Sequence, residues 1–431
     1  METARLGLGE VDITPSAPVQ TVGFGRADEF SRGVMHKLSA QVAVWQLASE
    51  KCCLVAIDSI GFSKQHSALL RNKIGVLLAA SPDKVMLCFS HTHSAPNDSV
   101  ETAYSDFVDA QIEKAVWAAL DNMAPVEVAW ENAYGDIGVN RRADCGGLDR
   151  RIGILKAVEA NSGTPRLLLL RLTAHANVLK EDNYLISPDY FGAVRDLLTE
   201  KYGCMVMLTQ GASGNISPMY YATNRACTPD TSAPAYYGKH ASVTALLDMA
   251  QEVYRQVDSQ FAKIQPVKLG HLSMYSVYQQ FEAEVPSYER ALEIAEEAKR
   301  AAYIDGTAWL SEVQRLIHSG IKKQTDTIEL QYFSINDGCL CGVPNEIMYE
   351  FAIAASEKLQ NRFFYFGGYT NGCAGYFPTE AEYDLGGYEV YWSMLIYFMY
   401  HGRVMPLNRN SDAKLIEAAA ENAPFHAGSA E

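Results

Sequence analysis

Through the first half of the chain, short β-rich runs take turns with longer segments of helical period, and few architectures satisfy that rhythm. Residues 42–46 and 52–57 read as strands, and 65–80 (QHSALLRNKIGVLLAA) as an amphipathic helix leading to the apolar strand 85–89. A helix over 105–123 and a strand at 126–130 follow. The runs 152–158 and 167–173 can form a hairpin around Asn161-Ser-Gly, and a helix at about 189–202 leads into a strand at 205–208. The pattern predicts an α/β fold: a mixed β-sheet core, largely buried and flanked by helices.

The middle of the chain breaks the rhythm. Residues 237–263 and 287–323 are long, helical in period and rich in Glu, Lys, Arg and Ala. They predict a helical insertion around 237–323, with 287–323 as a cap or an oligomer surface. Strand patterning resumes at 328 (IELQYFSI, then CLCGV), followed by a helix at 345–359 and a strand at 362–367. No linker or internal repeat divides the sequence. One domain is expected over 1–410, followed by a C-terminal helix and tail over 411–431.

Composition excludes some partners. A net charge of −15 argues against a nucleic-acid or anionic-membrane surface, because both require a basic patch. The most apolar aromatic run, 390–400, is about half the length of a membrane-spanning helix, so no stable membrane anchor is expected. The N-terminus shows no apolar leader pattern, and the nine cysteines include no CxxC pair. These features predict a cytoplasmic protein acting on a small molecule, with a homo-oligomer left open.

Chemistry concentrates in SHTHSAP, residues 90–96, directly after an apolar strand. In extended backbone, residues i and i+2 share a face, so His91 and His93 can converge on one ion. Metallo-β-lactamase-like hydrolases need HxHxDH, but Ser94-Ala95-Pro96 follows here. Amidohydrolase barrels carry HxH on their first strand, whereas roughly 80 residues of α/β pattern precede it in this chain. A third histidine, His175, ends the apolar run LLLLRLTAH. Asp189, at the start of a helix, reads as an N-terminal cap.

QGASGNISP, residues 210–218, is neither a nucleophile elbow nor a phosphate loop; it is a small-residue turn that can present backbone N–H groups and Ser217. Glu346 stands at a loop-to-helix junction, where capping is its ordinary role. The Gly- and Tyr-rich stretch 371–389 reads as an ordered surface loop carrying Tyr376 and Tyr388.

Taken together, these segments resemble the catalytic domain of the neutral ceramidase family. The resemblance runs through GEVDITP (9–15), His36, SHTHSAP, GVNRR (138–142), LTAH (172–175), ISPD (186–189), GASGNISP, GVPNE and GYFPT with GGYE, in family order. It implies a zinc amidase with His91, His175, Glu346 and Tyr376 as Zn²⁺ ligands. By the same resemblance, His93, Arg141 and Tyr388 match residues that contact the substrate amide or the attacking water. Ser217 matches a serine once considered a nucleophile. Two imidazoles, a carboxylate and a phenol oxygen suit Zn²⁺ with room for water.

The departures limit what carries over. Asn215 and Met219 stand where ceramidases usually have Asp and Asn, Ala95 replaces a Gly, and the family's C-terminal immunoglobulin-like domain finds no counterpart in this sequence. The expected reaction is therefore cleavage of an amide in a small soluble substrate. Ceramide itself, an ester or lactone, or a non-catalytic ligand-binding relative are the alternatives.

Overall fold

Alternate residues along the strands of the first half face two different cores, and this decides the layering. Ala43 and Trp45 point into one core, while Val42 and Val44 point into another. Leu54 and Met86 repeat the division against Val55 and Leu87. A sheet with two apolar faces has to be covered on both sides. The computed structural model, which describes residues 3–26, 28–99, 102–142, 147–220 and 235–425, shows how this is done.

The first sheet runs in the order Val85–Phe89, Glu50–Ile57, Ser39–Leu47, Arg5–Asp12, Ala124–Tyr134, Arg151–Glu159, Pro165–Leu172, Met205–Gln210. It is mixed: only the first and last pairs in that order are parallel. The expected hairpin is present, Arg151–Glu159 pairing antiparallel with Pro165–Leu172. One face is covered by helices Lys64–Leu78, Thr102–Asp121, Tyr190–Tyr202 and Ala235–Phe261.

The other face packs against a second sheet, ordered Leu272–Glu284, Lys323–Ile335, Gly338–Gly342, Phe364–Gly367. Met274, Phe333, Leu340 and Tyr365 of the second sheet share a core with Trp45, Leu155 and Met207 of the first. Helices Tyr349–Leu359 and Ser411–Glu421 cover the far side of the second sheet. The result is a helix–sheet–sheet–helix stack. Residues 426–431 of the expected tail lie outside the described residues.

The stretch 237–323 is not helical throughout. Leu272–Glu284 is a 13-residue strand paired along its whole length with Lys323–Ile335. The flanking charge-rich helices mask it in the sequence. Helix Tyr288–Ala302 starts where Ser287 Oγ accepts the Arg290 N–H (3.1 Å) and buries Ala291, Ile294, Ala295 and Ala298, the i, i+3, i+4, i+7 stripe. It packs with Thr307–His318 around Trp309, whose indole N–H donates to Val404 O (2.8 Å). Burying that ring well is worth about 3–5 kcal/mol by the usual cost of Trp→Ala in a core. The turn between these two helices, with Tyr303 and Ile304, borders a cavity.

Convergence of the first sheet's two terminal strands positions the site. Gln210, closing one of them, donates from Nε2 to Ser90 O (3.3 Å), just beyond the other. Segments leaving Phe89, Leu172 and Gln210 therefore meet at one place.

Candidate metal centre

His91 lies two residues past the strand Val85–Phe89, and His175 three residues past Pro165–Leu172. Their imidazole centroids are 4.9 Å apart, and that of His93 is 5.1 Å from His91 and 5.9 Å from His175. One nitrogen from each of the three histidines falls within 4.8 Å of the others. His91 and His93 do not converge through strand alternation, however. His91 has left the strand and adopts φ +61°, its N–H bonded to Ser59 O (2.9 Å). A left-handed histidine is uncommon, and this turn swings the two rings together.

Each of two rings is held by one nitrogen, leaving the other to act. Nδ1 of His91 lies 2.7 Å from Ile60 O, and Nδ1 of His175 lies 2.7 Å from Ser213 O. These carbonyls fix the tautomer in which Nδ1 donates and Nε2 carries the lone pair. Both Nε2 atoms face the same carboxylate oxygen, Oε2 of Glu346, at 3.3 and 3.4 Å. His93 is different: both its ring nitrogens are buried and without a hydrogen-bond partner.

Electrostatics follow from burial. His175 is pushed down to about 4, first by burial and then by the Arg141 charge. His93 is driven well below the usual imidazole range by burial, with His91 and His175 adding to it. For Glu346 burial works upward, but the neighbouring His91 and His175 outweigh it and hold the carboxyl well below its ordinary value. Neutral imidazoles beside an ionised carboxylate are the protonation states that bind a divalent cation.

Glu346 and Tyr376 are direct neighbours in a short parallel pairing of Glu346–Ile347 with Tyr376–Phe377, which sets their side chains on one face. Gly214 permits the close approach of the 210–218 turn, since a Cβ there would lie 2.7 Å from Glu346 O. The Tyr376 hydroxyl accepts from Arg141 (2.9 Å), whose guanidinium also donates to Gly214 O and pairs with Glu389 (2.8 Å). Tyr388 sets its ring 5.8 Å from Tyr376 and lines the cavity.

Ser217 lies in the short strand Ile216–Pro218, opposite Val139, and the contacts of the cluster run to Ser213 instead. Asp189 caps its helix: its carboxylate accepts from Val178, Leu179 and Tyr190 N–H, and burial raises it to about 6. The 371–389 stretch is not a surface loop. Arg142 anchors it through Glu382 and Glu389 (2.7 Å), and Tyr376 and Glu389 are buried.

Residues with no signal in the sequence complete the cluster. Tyr397 donates to Glu346 Oε1 (2.9 Å), and Tyr369 sets its ring, tilted, 4.4 Å from that of His91 while accepting from Ser213 Oγ (3.1 Å). Tyr397, Tyr388, Cys373 and Ile60 border a cavity of about 810 Å³. The rest of its lining is mainly aromatic and aliphatic, including Phe24, Phe62, Ile396 and Met399.

Two solved structures share this arrangement of layers. The neutral ceramidase from Pseudomonas aeruginosa aligns with a TM-score of 0.73 over 97% of this chain and 74% of that one, at 17% identity. A ceramidase complexed with C2 aligns with a TM-score of 0.69 over 99% and 76%, also at 17% identity. This is the neutral ceramidase fold. No family model and no curated protein matches the sequence. Of the departures from the ceramidase pattern, Asn215 falls in the turn beside the cluster, and Met219 comes directly after the strand Ile216–Pro218. Asn215 donates from Nδ2 to Glu350 (3.0 Å) and Glu382 (3.3 Å), while its Oδ1 accepts the Tyr349 N–H (3.1 Å). An amide there can serve two carboxylates, which an ionised Asp would repel. No helix among the described residues is long and apolar enough to cross a membrane.

Proposed function

We propose that this chain is a zinc-dependent hydrolase that cleaves the amide bond of an N-acyl substrate with an apolar acyl group. The observation that carries the reading is the meeting of two Nε2 atoms on one Glu346 oxygen, with each Nδ1 committed to a carbonyl. The residues fit a zinc ion: two imidazoles, each with Nδ1 committed to a carbonyl, converge with a carboxylate, and a third, unpartnered imidazole stands beside them. His91, His175 and Glu346 would hold the ion, with Tyr376 beside them as the fourth oxygen donor. When bound, zinc supplies Lewis acidity and lowers the pKa of a coordinated water toward neutrality.

The remaining roles belong to the protein. His93, neutral and free at both nitrogens, takes a proton from the attacking water and delivers it to the departing amine nitrogen. Arg141 and Tyr388 donate hydrogen bonds to the amide oxygen as it gains charge, in a site where burial strengthens each bond. Arg141 is kept protonated there by Tyr376 and Glu389 against the opposing effect of burial. The aromatic cavity next to Tyr397 receives the acyl group, and its size is ample for a long one. The ceramidase fold of the structural neighbours supports amide hydrolysis over ester or lactone cleavage.

Turnover of a series of N-acyl amides from acetyl to palmitoyl tests this reading. It predicts zinc-dependent cleavage with kcat/KM rising with acyl length by about tenfold or more. A preference for acetyl, or turnover by the metal-free protein, contradicts it.

A further inference from the structure

The wall of the cavity and the carboxylate of the cluster are joined by one side chain. Tyr397 lies on helix Met394–His401, whose residues Ile396, Met399 and Tyr400 line the cavity as Tyr397 itself does. Its hydroxyl donates to Oε1 of Glu346 (2.9 Å), while Oε2 of the same carboxylate faces His91 and His175. The two oxygens thus have separate partners on opposite sides.

A glutamate end rotates readily, because its last torsion is broad and two-fold. Nothing in the short pairing of the Glu346 backbone with Tyr376 determines which oxygen turns to the imidazoles. The other hydroxyl nearby, that of Tyr369, is 3.5 Å from Oε2, at the limit of a hydrogen bond, and lies on the oxygen already facing the histidines. The backbone makes room for the Tyr397 ring. Gly375 has φ +74°, and a Cβ there would lie 2.9 Å from Tyr397 Cγ. The carbonyl of Gly375 accepts the Glu346 N–H (3.0 Å), so the residue that makes room for the ring is tied to the backbone of the carboxylate it meets.

We propose that Tyr397 is a positioning residue: it fixes the Glu346 carboxylate so that one oxygen alone points to the metal, and it ties that orientation to the helix that walls the cavity. The inference rests on the reading of His91, His175 and Glu346 as metal ligands. It assigns Tyr397 no contact with the reacting atoms. Hydrogen bonds of this kind to a ligating carboxylate typically matter 10- to 100-fold (order of magnitude) for metal affinity or activity.

The test is the zinc dissociation constant of the full-length protein, measured by competition with a chromophoric chelator. Tyr397→Phe removes only the hydroxyl and is expected to weaken zinc binding about tenfold. Met399→Ala, on the same helix and lining only the cavity, should stay within twofold of the parent. The d–d absorption of the cobalt-substituted protein gives a second readout, and the Phe variant should shift those bands. A zinc constant within twofold of the parent together with unchanged cobalt bands overturns the proposal. His91→Ala, measured alongside, separates the two levels: if it binds zinc as the parent does, the ligand assignment itself has failed. If it loses zinc while Tyr397→Phe behaves as the parent, only the positioning role has failed. A cooperative thermal transition in each metal-free variant establishes that the comparison is between folded proteins.

Discussion

Nε2 of His91 stands 3.3 Å from Oε2 of Glu346, a contact between the segment leaving strand Val85–Phe89 of the first sheet and the one leaving strand Gly338–Gly342 of the second. The stacking of the two sheets makes it. Neither sheet alone carries a complete cluster.

Arg141 is predicted to act on the reaction and not on the metal. It bonds the Tyr376 hydroxyl and Gly214 O while its charge is balanced by Glu389. Arg141→Ala should lower kcat/KM by about 10²-fold, the usual cost of one donor to a developing oxyanion, with about one zinc per chain retained at saturating zinc. Arg141→Lys should recover little, since a single ammonium cannot reproduce the forked contacts. Steady-state kinetics with metal analysis checks both.

His66 predicts a pH dependence of stability. Its ring stacks on Phe62 (4.7 Å), its Nε2 lies 3.0 Å from Asp109, and its Nδ1 lies 3.5 Å from Asp98. Lys73 also faces Asp109 (2.9 Å), and Ser63 bonds Asp98. Burial works against the imidazolium, but the hydrogen bonds to Asp109 and Asp98 prevail and raise it to about 9. A folded-state pKa above the unfolded value stabilises fully below about 6.5, and the contribution is lost as pH rises through about 9. The Tm deficit of His66→Gln relative to the parent should therefore be largest near pH 6 and shrink toward pH 10. A deficit that does not change with pH contradicts this.

Metal removal should loosen the protein. A ligand that binds only the folded state stabilises it by about 4 kcal/mol at a thousandfold excess over its Kd. Chelation should lower Tm by several degrees, zinc should restore it, and His91→Ala should show neither effect. Differential scanning calorimetry with and without chelator decides the point.

Much of the first sheet was legible because its strands are short, apolar and bounded by turns; the run at 85–89 coincides with the observed strand Val85–Phe89. The histidines stood out because each follows such a run. The second sheet was harder. Its strand Leu272–Glu284 is partly exposed and lies between charged helices, so its alternation is weak. The burial of the 371–389 segment depends on ion pairs from Arg142 to Glu382 and Glu389, far apart in sequence. Tyr397 sits in the apolar aromatic run 390–400, and only the fold shows that its hydroxyl meets Glu346. The turn that brings His91 to His93 was invisible for a similar reason: a left-handed histidine leaves no compositional mark.

His91 holds the metal in this scheme and His93 carries the proton. Zinc content and turnover, measured together on His91→Ala and His93→Ala, test it. The prediction is that His91→Ala loses both, while His93→Ala keeps about one zinc per chain and loses turnover by about 10²-fold or more. Loss of zinc from His93→Ala would make it a ligand, and full turnover in either variant would contradict the scheme.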